Sequence, residues 1–232
     1  MGKHLMKTNN KYKSSFIALV VAGLLASSAS QAAVTPNGTG PVNEFDSSNT
    51  DATFNVRVKS WRDPAFGDMG WTHHSQWGIV KDVKQNQVVT IKAVTDVAGF
   101  HPGMTVWYRG ELDTASDNYV IDHFYVQNAQ QYKLGATDET TGVDVGNIVM
   151  NFIAHGYDRD IDPLVGSLPK AMPRMNGRVD NIPGQLTLKF RALKPGNYMF
   201  VVGGVNPDSA IATSTARHPV AVNVKVTGKE KL

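Results

Sequence analysis

The segment Val220-Ala-Val-Asn-Val-Lys-Val226 places an apolar side chain at every second position, and Leu186-Thr-Leu-Lys-Phe-Arg-Ala192 repeats the pattern. A period of two sets one face of a segment on a core and the other in water, which marks a half-buried strand. Shorter β-prone runs lie between turn signals at Phe54–Val58, Trp77–Val80, Gln87–Ala93, Met104–Arg109, His123–Val126, Ile148–Ala154 and Tyr198–Val202. Lys194-Pro-Gly-Asn197 joins two of these runs as a tight connection. No long segment carries the 3.6-residue apolar period of an amphipathic helix. The pattern predicts an all-β fold, an antiparallel Greek-key β-sandwich. Between Asp158 and Pro183, the prolines at 163, 169, 173 and 183 predict one long Pro/Gly-rich excursion with at most a short helix.

The N-terminus reads differently. Lys3, Lys7, Lys11 and Lys13 precede an apolar run from Phe16 to Ala26, and small residues continue to Ala33. The run is shorter than the roughly 20 apolar residues that span a bilayer as a helix. Ser30 and Ala32 fit the −3 and −1 positions of a cleavage site, so residues 1–32 are expected to be a signal peptide. Residues 33–52, rich in Pro, Gly, Ser, Asn and Thr, are expected to be a flexible lead-in, and 53–232 a single folded domain. The expected location is outside the cytoplasm, secreted, in the periplasm or on the outer cell surface, with no membrane span.

Four of the 23 lysines and arginines lie in the leader and none of the 20 acids do, leaving nineteen cations against twenty acids. Such a balance gives no overall pull towards nucleic acid or an anionic membrane, and nucleic acid is set aside as a partner. The chain has no Cys, so its core holds without disulfides and no thiolate can act as nucleophile or ligand.

Beyond the leader stand six histidines: His73, His74, His101, His123, His155 and His218. Neutral imidazole is the commonest protein ligand for transition metals, and without thiolates the plausible ions are copper, zinc, nickel and iron. On an extended backbone Trp71 and His73 project from one face and His74 from the other, so one imidazole can enter a site beside an aromatic ring. Asp122-His-Phe-Tyr125 is the best-placed strand to bring a second imidazole, His123, and His155 is a reserve third ligand. His101, before Pro102-Gly103, is expected in a turn, and His218 at the start of the last strand. Asp158, Asp160 and Asp162 alternate in a loop that could gather around a hard cation such as calcium, although an EF-hand Gly and distal Glu are missing.

Other readings of these residues stay open. The histidines can be hydrogen-bonding residues at strand ends. Trp61, Trp71, Trp77 and Trp107 can form an exposed face for a carbohydrate or a protein. A small hydrolase could use a histidine with Asp122. Blue copper lacks its Cys, and neither His-Glu-x-x-His nor Gly-x-Ser-x-Gly occurs.

With Trp71-Thr-His73, a second histidine at His123, a leader and a cysteine-free β domain, the chain resembles the surface-associated copper(I)-binding proteins of methane-oxidising bacteria, the CorA/MopE type. The resemblance implies a copper binder rather than an enzyme. It also implies His73 and His123 as Cu(I) ligands on separate strands, and Trp71 as a tryptophan that can be oxidised to kynurenine beside the metal. An outer-membrane protein or copper acceptor is the implied partner, and the family's calcium-containing members add weight to the Asp158 loop. Two imidazoles in a dry setting suit a d10 monovalent ion, whereas Zn(II) usually takes four ligands.

Overall fold

The structure, a computed structural model, describes residues 34–36, 42–61, 74–121, 130–158, 182–205 and 208–228. These residues belong to one compact unit, Ala32–Leu232. All of the described regular structure is strand: β1 (Val34–Pro36), β2 (Asn43–Phe45), β3 (Asp51–Arg57), β4 (Gln76–Val83), β5 (Val88–Val94), β6 (Pro102–Arg109), β7 (Tyr119–Ile121), β8 (Gln130–Thr137), β9 (Asp144–Tyr157), β10 (Gln185–Arg191), β11 (Gly196–Gly204) and β12 (Arg217–Thr227).

A four-stranded sheet, in the order β10-β5-β12-β3, packs on a six-stranded sheet, β2-β4-β11-β6-β9-β8. All pairings are antiparallel except β2 with β4, which is parallel. The chain changes sheet at most connections, so each half of the sandwich is built from strands distant in sequence. Alternation works as expected in the four-stranded sheet: Leu186, Leu188 and Phe190 of β10 and Val220, Val222 and Val224 of β12 are buried, while their neighbours face outward. Between the sheets, Phe54 stacks on Phe200, 6.0 Å between ring centroids, and Phe45 closes on both rings.

The six-stranded sheet is covered on both sides. Its inner face supplies Met104, Val106, Tyr108, Tyr198 and Phe200 to the inter-sheet core. Its outer face carries a second core of Trp61, Trp77, Trp107, Met150, Met199, Val201 and Tyr157, capped by Val120 and Ile121 of β7, which pairs with β1. Hence all eight residues of β6 are buried and no alternation is visible there.

Four differences from the sequence reading arise from this layering. Residues 34–36 and 43–45, inside the expected lead-in, are strands, and β3 begins at Asp51; Phe45, with no apolar neighbours in sequence, is fully buried by tertiary packing. Pro102-Gly103 opens a strand instead of forming a turn, because Pro102 needs no amide donor there and Gly103 lies against an indole. Strands β7 and β8 were not anticipated. Trp61, Trp77 and Trp107 are each at most 2% exposed, which removes the exposed tryptophan face as a reading for these three.

Candidate metal centre

The predicted ligands His73 and His123, with Trp71, Asp160 and Asp162, lie outside the described residues. The residues on which their segments are rooted are described. Trp61 precedes the first segment; its backbone N–H donates to Gly204 O at 2.9 Å, and Ser60 Oγ accepts from Gly204 N–H at 2.9 Å. His74 comes directly after it, exposed, with its carbonyl accepting from Arg57 N–H at 3.2 Å and its Nε2 lying 3.4 Å from Arg57 Nη1. For the second segment, Ile121 ends β7 with its N–H directed at Met150 Sδ, 3.3 Å away, and Gln130 pairs with Asn151 of β9. Strand β9 therefore anchors the second segment and also carries the aromatic environment of Trp61.

That environment is built by a bulge. Val106 of β6 pairs with Ala154, but Trp107 pairs with Phe152, so β9 carries one extra residue at 153. A bulge breaks the two-residue alternation and re-aims the side chains on either side of it. Phe152 and His155 accordingly share the outer face, 6.0 Å between ring centroids. The His155 imidazole also stacks on Trp61 at 6.1 Å with planes 27° apart, and Trp61 meets Tyr157 at 5.8 Å. Trp61 is fixed by its indole N–H, which donates to Thr105 Oγ1 at 3.0 Å, and by the bare backbone of Gly103: a Cβ there would come within 2.5 Å of the indole.

His155 is 6% exposed, and burial pushes its pKa down to about 4, so the imidazole is neutral at neutral pH. Its Nδ1 is buried with no hydrogen-bond partner. Leaving such a group unpaired costs about 1–3 kcal/mol, a cost that a ligand at that nitrogen would offset. A neutral, desolvated imidazole among aromatic rings has the protonation state and the softness that Cu(I) coordination requires. Among the described residues no group of three or more His, Asp or Glu side chains is placed to hold a metal ion.

The other histidines have different surroundings. His101 is buried, not set in a turn, and its Nδ1 lies 2.8 Å from Asp158 Oδ2, with Nε2 3.3 Å from Asp208 Oδ1. Asp158 Oδ2 also accepts from Gly184 N–H at 2.6 Å, and Asp158 Oδ1 is buried without a partner. His218 is half-buried beside Phe100, with Nε2 3.1 Å from Ser214 Oγ. The sequence reading missed Trp61, Thr105 and Gly103 as parts of the His155 environment. Gly103 and Thr105 lie on β6 and Trp61 lies beyond the end of β3, forty-odd residues earlier in the chain, so only the fold brings them together.

Fold and site together define a two-sheet β-sandwich with a second aromatic core on the outer face of its larger sheet and a neutral histidine set into that core. The chain belongs to the family of CorA-like copper(I)-binding proteins, whose model matches residues 31–212. It is similar to CorA of Methylomicrobium album BG8, a surface-associated copper-binding protein important in copper acquisition: 36% identity, TM-score 0.65, covering 82% of this chain and 99% of that one. It shares its fold with MopE of Methylococcus capsulatus, a secreted protein whose copper binding is facilitated by an oxidised tryptophan, at 19% identity and TM-score 0.57, covering 85% of this chain and 92% of that one. No curated protein sequence matches the chain.

Proposed function

We propose that this chain is an exported copper(I)-binding protein that works at the cell surface in copper acquisition, not an enzyme. Family membership carries the reading, supported by 36% identity to CorA over nearly the whole of that protein. His73 and His123 are the two principal ligands, Trp71 is the tryptophan open to oxidation to kynurenine, and the unpaired Nδ1 of His155 is the third donor. The mature chain starts at residue 33 and hands its metal to an outer-membrane protein or another copper acceptor. Asp158, with an unpaired buried Oδ1, joins Asp160 and Asp162 as a secondary calcium loop.

The test is metal content and intact mass of the protein recovered from the medium or cell surface under copper limitation. One copper per chain is expected, with the leader absent and a mass gain equal to one carbon lost and one oxygen gained if a tryptophan has become kynurenine. A protein recovered without copper that also ignores added Cu(I) refutes the reading.

A further inference from the structure

His73 and His74 are adjacent, so a slip of one residue exchanges the imidazole that a metal meets. The chain is caught directly after His73 by β3, which lies at the edge of the four-stranded sheet. Along that edge Asn55 N–H donates to Gln76 Oε1, and Arg57 N–H donates to His74 O at 3.2 Å. Arg217 Nη1 occupies the same edge by donating to Asn55 O at 2.8 Å. Gln76 then pairs with Val202 of β11, so residues 74–76 are held by both sheets.

Arg57 holds His74 a second time, through its side chain: Nη1 lies 3.4 Å from His74 Nε2. A guanidinium carries N–H donors and no acceptor, and it stays charged. Nε2 is therefore the lone-pair nitrogen of a neutral imidazole whose proton sits on Nδ1. A lone pair that takes this hydrogen bond is not offered to a metal, and the fixed positive charge beside it repels a second cation.

We propose that Arg57 is a positioning residue that sets the ligand choice between the two adjacent histidines. Its backbone fixes the chain after His73, and its guanidinium withdraws the His74 imidazole from metal binding. The inference rests on the reading of His73 as a Cu(I) ligand and adds to it the residue that excludes His74. Arg57 acts through His74, not on the metal.

Competitive Cu(I) titration of the exported protein and of its H74A, H73A and R57Q/H73A variants tests it. Arg57→Gln removes the guanidinium and keeps the backbone N–H that His74 O accepts from. H74A should bind Cu(I) like the parent. R57Q/H73A should bind about tenfold more tightly than H73A, because the released His74 takes over as donor. R57Q/H73A/H74A should lose that gain, and far-UV circular dichroism should match the parent throughout. A residue that only stabilised the fold would produce no such rescue. Nitrogen NMR of His74 in the metal-free parent should show the Nδ1–H tautomer, giving way to a mixture of tautomers in R57Q. An affinity loss in H74A as large as in H73A, no rescue in R57Q/H73A, or an Nε2–H tautomer in the parent would overturn the proposal while leaving the copper reading standing. A parent that binds no Cu(I) refutes the proposed function, and the ligand choice with it.

Discussion

The indole of Trp61 stacks on the imidazole of His155, with 6.1 Å between ring centroids, while its N–H is committed to Thr105 Oγ1. Trp61 roots the segment that carries Trp71 and His73, and His155 sits on the strand that anchors the segment carrying His123. One aromatic contact thus joins the residue that precedes the first stretch proposed to hold copper to the strand that pairs with Gln130, just after the second.

His155 has no hydrogen bond to lose at Nδ1, so His155→Leu, of similar volume and fully apolar, is expected to leave stability within about 1 kcal/mol of the parent or to raise it. Copper affinity should fall in the same variant. Urea unfolding and Cu(I) titration read the two effects separately, and a stability loss above about 2 kcal/mol would show that the histidine is structural.

Gly103 makes room for Trp61, since a Cβ would fall 2.5 Å from its ring. Gly103→Ala should cost about 1–3 kcal/mol through overpacking and shift the tryptophan emission. Unchanged emission and an unchanged unfolding midpoint would mean that the indole does not depend on this close approach.

Asp113 holds Arg109 at two points, Nε to Oδ2 at 2.6 Å and Nη2 to Oδ1 at 2.9 Å, and it also accepts from Val149 N–H at 2.7 Å. Both side chains are buried, so Asp113→Ala strands a guanidinium in the second core and should cost about 3–5 kcal/mol. Thermal or chemical unfolding measures this directly, and a loss below about 1 kcal/mol would place the pair in solvent.

Burial pushes the Tyr198 phenol up to about 12, and its hydroxyl donates to Lys194 O at 2.7 Å, a bond that only the neutral phenol can make. An unfolded chain releases this proton near 10 while the folded one retains it, so stability falls as pH rises through the interval between the two values. Tyr198→Phe, which has no proton to release, should be less stable than the parent at neutral pH by about 1 kcal/mol and show a shallower alkaline decline. Parallel slopes for the two proteins above pH 10 would contradict the assignment.

Most of the sandwich was legible because half-buried strands announce themselves by alternation, as β10 and β12 do. β6 was found only as an apolar run, since packing on both faces erases alternation, and β2 was missed because Phe45 is a lone apolar residue whose burial depends on strands far away in sequence. Site residues were partly legible. Trp71-Thr-His73 and His123 stood out by residue type and resemblance, but the setting of His155 depends on a bulge at residue 153 and on Gly103, neither of which has a local signature.

Competitive Cu(I) titration against a chromophoric chelator, run under anaerobic conditions on the parent and on the H73A, H123A and doubly substituted variants, addresses copper binding most directly. One tightly bound Cu(I) per parent chain is expected, weakened in each single variant and abolished in the double, while circular dichroism stays unchanged. Parent-like affinity in the double variant would place the copper elsewhere, and failure of the parent to compete for Cu(I) would contradict the proposed function itself.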